Sequence, residues 1–412
     1  MLLVGIDWAE AEHAVCLMDG AGTVRRRLRV PHSAAGLRRL RAAVAEQEPE
    51  AEAVLVALER AHGLLVEALL AAGYTVYALN PRAVERYRAR TRPAGPKSDP
   101  ADAELLARIL VTDRDRHRPL RPSSPQVAAL RALARDDERT SRDERRLLNR
   151  LRHDLLEVFP QALAAFPHLA DLSALAFLAR WPTAAAAQQL GPEELERFFR
   201  ECQHGWSART AARVRAALGA EALAAAPAVA RAMAGTIRLA AEQLLLLRRQ
   251  RGVWRKELAA LLADDGTAGS PVPAGTVLLS LPGVDVRLAA RVLGEVGDDP
   301  ARFATPNALQ CYAGTAPVTK ASGRVRVVAA RFACNRFLRQ ALHTWALCSL
   351  RVSPWARAAY DRHRQAGKAH NAALRAVANR WLEILHHLLA TGQRYDEAVH
   401  QRNRARATAA AA

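Results

Sequence analysis

The chain has 412 residues, half of them hydrophobic, with 60 Lys+Arg against 41 Asp+Glu and a formal net charge of +19. That length suggests two or three domains, and that charge favours a polyanionic partner, nucleic acid before an anionic membrane. The cysteines Cys16, Cys202, Cys311, Cys334 and Cys348 are scattered, without CxxC or other metal-ligand spacing, and read as reduced core thiols.

The N-terminus "MLLVGIDWAE" reaches a charge at Asp7 without a basic leader, so it does not read as a signal peptide. No apolar run approaches the ~18 residues that a membrane span needs. A cytoplasmic protein is expected. Its cations are mostly arginine, which suits bidentate contacts to phosphate.

In chain order, "LLVGID", "HAVCLM" and "VRRRLRV", with a turn at "DGAGT", read as three short strands in an antiparallel meander. A helix follows at about 34–47, then the strand "AEAVLVALE" at 51–59, a helix, and the strand "YTVYAL" at 74–79. Asn80 and Pro81 open another helix. Hairpin strands followed by alternating helices and strands predict a mixed α/β sheet with flanking helices, in the order of an RNase H-like core.

"RDRHRPLRPSSP" at 114–125 reads as a linker, closing a first domain at 1–122. The next part, 123–270, reads as helical. In it Ile237, Ala240, Leu244, Leu247, Arg251, Trp254, Leu258 and Leu261 fall at heptad spacing. This is either a coiled-coil dimerisation arm or an amphipathic helix packed within the chain. A second linker at 264–276 precedes a mostly helical C-terminal domain, 271–392, and the tail 393–412 reads as disordered.

Two aspartates three apart, in "KSDPADAELLARIL", pose a question, because like charges at one helix start repel. Helix capping is the plain answer. The alternative comes from the strands. Asp7 ends the first strand and Glu59 ends "LVALE"; side by side and parallel, these strands present both carboxylates at one sheet edge. A helix starting at Asp99–Pro100 brings Asp99 and Asp102, which share a face, over that edge. Four carboxylates gathered there call for hard cations, with Mg²⁺ the natural choice and two ions plausible.

In the third part, "LLSLPGVDVRLAARVLGEVGD" has the pattern of a helix-hairpin-helix, a phosphate-facing turn. Ser322 follows, in "VTKASGRVR", with Lys320 before it and Arg324 and Arg326 after. A bare Ser-Gly reads as a turn. The nucleophile-elbow pattern GxSxG is absent, and the cationic neighbours favour a phosphate over an acyl group.

The markers "GIDWAEAEHAV", "ALER", "NPRAVERYR", "KSDPADAELLA", "LPGVDVRLAARVLGEVGD", "YAGTAPVTKASG", "LRQALHTWAL" and "AGKAHNAALRAVANRWLEIL" cover both ends of the chain. In them the chain resembles the Piv-related insertion-sequence transposases, the IS-one-ten class, whose members carry out bridge-RNA-guided recombination. The resemblance implies a RuvC-like domain whose Asp-Glu-Asp-Asp set holds Mg²⁺, here Asp7, Glu59, Asp99 and Asp102. It also implies a serine nucleophile, here Ser322. "KSD" stands where the family has "KTD", and "GTAP" where it has "GLxP", which puts Thr315 beside the serine loop.

On this resemblance the protein is a DNA recombinase acting through a phosphoserine–DNA link. Its partners are element-end and target DNA and a structured noncoding bridge RNA, and it forms a homodimer that becomes a tetramer on DNA, with a bacterial, nucleoid-associated location. Such a link conserves phosphodiester energy. No Walker A motif is present, since "GK" at 367–368 lacks its upstream glycine. Candidate phosphate contacts are Arg90, Arg92, Lys97, Lys320, Arg324, Arg326, Arg331, Arg336 and Arg339. Two alternatives stay open: a Holliday-junction nuclease using the same carboxylates and water, and a non-catalytic nucleic-acid-binding protein.

Overall fold

Strand β1 (Leu2–Asp7) buries Leu2, Val4 and Ile6 on one side and Leu3 on the other, so both faces of the sheet around it are covered. In this computed structural model, residues 1–91, 98–121, 123–203, 205, 207–263, 273–323 and 325–410 are described, the side chains of 91, 300, 320 and 404–410 excepted. The chain divides into two compact units, Met1–Pro122 and Ser123–Ala412.

In the first unit β1 is the middle strand of five. β2 (Glu12–Asp19) and β3 (Val24–Pro31) extend the sheet as an antiparallel meander on one side. Two crossovers build the other side. Helix α1 (Ala34–Ala45), capped by Ser33, leads to β4 (Val54–Leu58), and α2 (Leu64–Ala71) leads to β5 (Thr75–Ala78), both strands parallel to β1. The order β3-β2-β1-β4-β5 is the mixed sheet expected from the sequence. Leu40, Val44, Leu65 and Leu69 of α1 and α2 cover one face. Helices α3 (Pro81–Thr91) and α4 (Asp99–Asp113) cover the other, through Val84, Leu106 and Leu110.

Gly5 sets how closely α4 lies on β1. A Cβ at Gly5 would stand 1.9 Å from the Ala103 carbonyl oxygen and 2.6 Å from the Ala107 nitrogen, so only glycine admits the helix backbone there. A Cβ built at Gly22, in the β2–β3 turn, lies 3.8 Å from Val111 near the C-terminal end of α4, and Asp19 beside that turn pairs with Leu2. Helix α4 therefore runs antiparallel to β1, its N-terminus at the Asp7 end.

The second unit is mostly helical. It contains α5 (Pro125–Val158), α6 (Pro160–Ala165), α7 (Leu172–Arg180), α8 (Ala184–Gln188), α9 (Pro192–Glu201), α10 (Ser207–Leu218) and α11 (Pro227–Ala263). The heptad seam of α11 packs inside the chain: Ile237, Ala240 and Leu244 join Leu151 and Leu155 of α5 in one core with α6–α10. Leu258 and Leu262 join Val127, Leu130 and Ala134 in another. Arg251 lies between these cores, its Nε 2.9 Å from Asp137 and its Nη1 2.6 Å from Glu144. A charge at a seam position is thus met by two carboxylates of α5 within the same chain.

The second of those cores continues through α12 (Ala274–Leu279), α13 (Val286–Val296), α14 (Pro306–Ala313), α15 (Arg336–Ser349), α16 (Pro354–Gln365) and α17 (His370–Thr391). Between α14 and α15 stands a two-stranded hairpin, β6 (Val318–Ser322) and β7 (Val325–Ala329), which the sequence reading did not contain. The turn between α12 and α13 is packed against α15: Trp345 donates to the Pro282 carbonyl, and a Cβ at Gly283 would stand 2.7 Å from the Ser349 nitrogen.

The tail read as disordered includes α18 (Glu397–Ala410). Ser353 and Tyr395 hydroxyls donate to Glu397, and the His400 ring lies 4.9 Å from that of Trp355, which anchors the start of this helix.

Candidate active site

Alternation along β1 puts Leu3, Gly5 and Asp7 on the face that α4 covers, and along β4 it does the same for Leu55 and Ala57. Gly5 pairs with Ala57 in the parallel register. That pairing runs from Leu2–Val54 to Gly5–Ala57; Asp7 closes β1 and Glu59 follows immediately after β4, both at the C-terminal ends of these parallel strands. The next residues of both segments also meet: the Arg60 guanidinium carbon lies 3.8 Å from the Trp8 ring centroid, a cation–π contact.

Trp8 in turn stacks on His13, at 6.2 Å between centroids. His13 is 1 % exposed. Its Nδ1 accepts from the Ala9 N–H at 3.3 Å, so the neutral ring carries its proton on Nε2 and donates it to His32 Nδ1 at 2.9 Å. Burial, and after it the neighbouring His32, holds His13 below the usual imidazole range. The loop leaving Asp7 is therefore fixed by an aromatic and imidazole cluster.

At the start of α4, Asp102 is 7 % exposed and Asp99 is exposed. Asp102 does not serve as a simple cap. Arg88 of α3 donates to its Oδ1 from both Nε, at 3.1 Å, and Nη2, at 2.8 Å. Arg88 lies inside the marker "NPRAVERYR", but its partner 14 positions on gave the sequence no local signal. Arg60, Trp8, His13 and His32 were missed for the same reason.

The antiparallel course of α4 brings Asp99 and Asp102 to the end of the sheet that carries Asp7 and Glu59. It does not close them into one ligand set: among the described residues, no three of His, Cys, Asp and Glu stand close enough together to hold an ion. The donor chemistry nevertheless fits a hard divalent cation. The donors are carboxylate oxygens, and the buried Asp102 charge already requires a positive partner, a requirement Arg88 meets.

Ser322 lies in the second unit. It ends β6, pairs with Val325 across the hairpin and is exposed. Gly323 takes φ +54° in the turn, a left-handed conformation that glycine adopts freely. Val325, Val327 and Val328 are 63 %, 51 % and 62 % exposed, so the ribbon stands clear of the helical core. At its base, Asn335 donates to Glu295 and to the Tyr312 hydroxyl, and Arg135 donates to Glu295. Thr315 is buried and donates to Asn379.

Of the candidate phosphate contacts, Arg90, Arg326 and Arg336 are exposed, Arg339 is half-buried on α15, and Arg331 donates to the Ala316 carbonyl. Arg92, Lys97 and Arg324 lie outside the described residues, as does the Lys320 side chain.

Residues 4–160 match the DEDD transposase domain of the IS110 type, and residues 275–361 match the domain described as Transposase IS116/IS110/IS902 family. The chain is 39 % identical over 410 residues to the "Mini-circle putative transposase for IS117" of Streptomyces coelicolor, covering 95 % of each chain. It is 29 % identical over 393 residues to the uncharacterized 42 kDa protein of insertion element IS900 from Mycobacterium paratuberculosis, covering 92 % of this chain and 94 % of that one.

The chain belongs to the IS110/IS116/IS902 family of insertion-sequence transposases. DNA binding and DNA strand transfer follow from that membership. Among the described residues no helix is long and apolar enough to cross a membrane.

Proposed function

We propose that this transposase exchanges DNA strands through a covalent phosphoserine link formed by Ser322, with Mg²⁺ held by Asp7, Glu59, Asp99 and Asp102 of a RuvC-like domain. The observation that supports the reading is that Asp7 closes β1 and Glu59 directly follows the parallel β4, with the N-terminus of α4 at the same end of the sheet. A divalent cation bound there supplies charge stabilisation to a scissile phosphate and its departing oxygen.

The chain's own residues do the rest. The Ser322 hydroxyl attacks phosphorus; the P–Oγ bond forms, a deoxyribose hydroxyl leaves, and the bond count is conserved, so no nucleotide triphosphate is consumed. A hydroxyl from a second strand then reverses the step and frees the serine. Arg88 holds Asp102 in a fixed orientation, and the Arg60–Trp8 contact holds the segments that follow Asp7 and Glu59.

Target choice falls to a structured noncoding RNA that pairs with DNA, while the protein grips backbone and shape. The net charge of +19 supports this division. The chain works as a dimer that becomes a tetramer on DNA.

The test combines protein, Mg²⁺, the flanking RNA and labelled element-end DNA, and reads a denaturing gel for protein-linked DNA. The reading expects an adduct that disappears in Ser322→Ala and in Asp102→Ala, and without RNA. Cleaved ends without an adduct, unchanged by Ser322→Ala, would identify a water-using nuclease instead.

A further inference from the structure

Helices α5, α13, α15 and the start of α17 enclose a cleft of about 1150 Å³ within the second unit. Eight arginines and three carboxylates line it. The carboxylates are engaged: Arg251 and Arg287 lie on Asp137, Arg142 and Arg291 lie on Glu138, and Asp285 accepts from the Leu288 N–H as the cap of α13.

Arg145 of α5, Arg339 of α15 and Arg375 of α17 have no carboxylate partner among the described residues, and Arg331 only donates to the Ala316 carbonyl at 3.4 Å. Guanidinium groups stay charged in such a setting, so several facing one hollow without counter-charge form a built anion site. His343 lies in the same wall. Burial holds it below the usual imidazole range, and the charges of Arg375, His370 and Arg339 push the same way, against its hydrogen bond to Asn371.

At the lip, Phe332 is 78 % exposed, an aromatic face beside unpaired guanidiniums. A cationic groove with an exposed ring is the pattern by which proteins track a single strand, backbone in the groove and base on the ring. A duplex is a convex cylinder that meets only the rim of such a hollow.

We propose that this cleft binds single-stranded nucleic acid, its phosphodiesters held by Arg145, Arg331, Arg339 and Arg375 and a base stacked on Phe332. This rests on the transposase reading and adds to it a strand-holding site separate from the chemistry. The cleft wall at residues 330–332 follows directly on β7, whose five residues span about 17 Å to the turn carrying Ser322.

The test is fluorescence anisotropy with the full chain and three labelled probes of one sequence: a DNA strand, an RNA strand of about a dozen nucleotides, and the DNA duplex. For Arg339→Gln with Arg375→Gln, single-strand affinity is expected to fall at least about tenfold near 0.15 M salt, with the log–log salt slope reduced by about 1.4. Phe332→Ala is expected to cost about fivefold or more at unchanged slope. Arg339→Lys with Arg375→Lys keeps the slope, which separates lost charge from lost folding. Binding is expected to tighten as the pH falls into the lowered range of His343, because a bound anion favours its protonated form.

Whichever strand probe shows the larger loss identifies the bound strand as DNA or RNA. Equal losses on duplex and single strands, or none on either, overturn the proposal. Ser322→Ala separates the two readings. If it still forms the DNA adduct, the phosphoserine mechanism fails while the cleft result, read on the arginine and Phe332 variants, stands.

Discussion

Asp7 and Ser322 both end β-strands, yet the two strands could hardly differ more in their support. Asp7 closes a central strand whose Leu2, Leu3, Val4 and Ile6 are at most 3 % exposed, with helices on both faces and a helix backbone pressed onto Gly5. Ser322 closes one arm of a two-stranded ribbon whose other arm is exposed throughout most of its length. Two-stranded ribbons are marginally stable alone in water. The carboxylate end is held by a core, whereas the serine end takes its final geometry from whatever covers it. On the proposed mechanism that covering is nucleic acid, so the nucleophile is positioned only when there is something to cut.

The comparison can be tested from the chemistry outward. Asp7→Ala and Asp102→Ala are each expected to lower strand cleavage about a thousandfold or more, read as initial rates on element-end DNA. The helical support comes next. Arg251→Ala removes one of the two arginine partners from each of the buried Asp137 and Glu144, leaving Arg287 and Arg248, and should cost about 2–3 kcal/mol in denaturant unfolding.

The same site gives a pH dependence. Burial pushes the Glu144 carboxyl up, but hydrogen bonds from Arg251 and Arg248 outweigh it and leave it below its ordinary value of 4.5. The stabilisation is therefore full above about pH 4.5 and is lost as pH falls through the lowered value in the folded chain. Arg251→Ala should weaken this acid sensitivity.

Glycine substitutions set the two strand ends against each other directly. Gly5→Ala should destabilise the first unit by about 3 kcal/mol, because the new Cβ meets the backbone of α4. Gly323→Ala meets nothing within 4 Å and pays only for its positive φ, about 1–2 kcal/mol. Between these lies Arg88→Ala, expected to weaken divalent-ion binding about 10- to 100-fold by calorimetry, since Arg88 orients Asp102. The smallest effect belongs to Val327→Ser on the exposed ribbon, within about 0.5 kcal/mol of the parent in stability.

The same contrast decides what the sequence made legible. The first sheet was readable because its strands are bounded by turns and alternate or run apolar, and Asn80–Pro81 and Asp99–Pro100 mark helix starts by local chemistry. The hairpin was not, because "VTKASGRVRVV" leaves Val325, Val327 and Val328 in solvent and puts a Ser-Gly turn at its centre, so no buried face marks it as strand. Arg251 looked misplaced in a heptad because its partners lie more than 100 positions away. The carboxylates could be placed at one sheet edge from topology, but the arginine that orients Asp102 emerges only when α3 folds against α4. The tail read as disordered by composition, although Glu397 and His400 carry the contacts that start a helix there.

The most direct measurement is to isolate the protein–DNA adduct formed in Mg²⁺ with RNA present, digest it, and identify the modified peptide by mass spectrometry. The account predicts a single nucleotide-bearing peptide modified at Ser322. Modification at another residue, or cleaved DNA with no modified peptide, would contradict it.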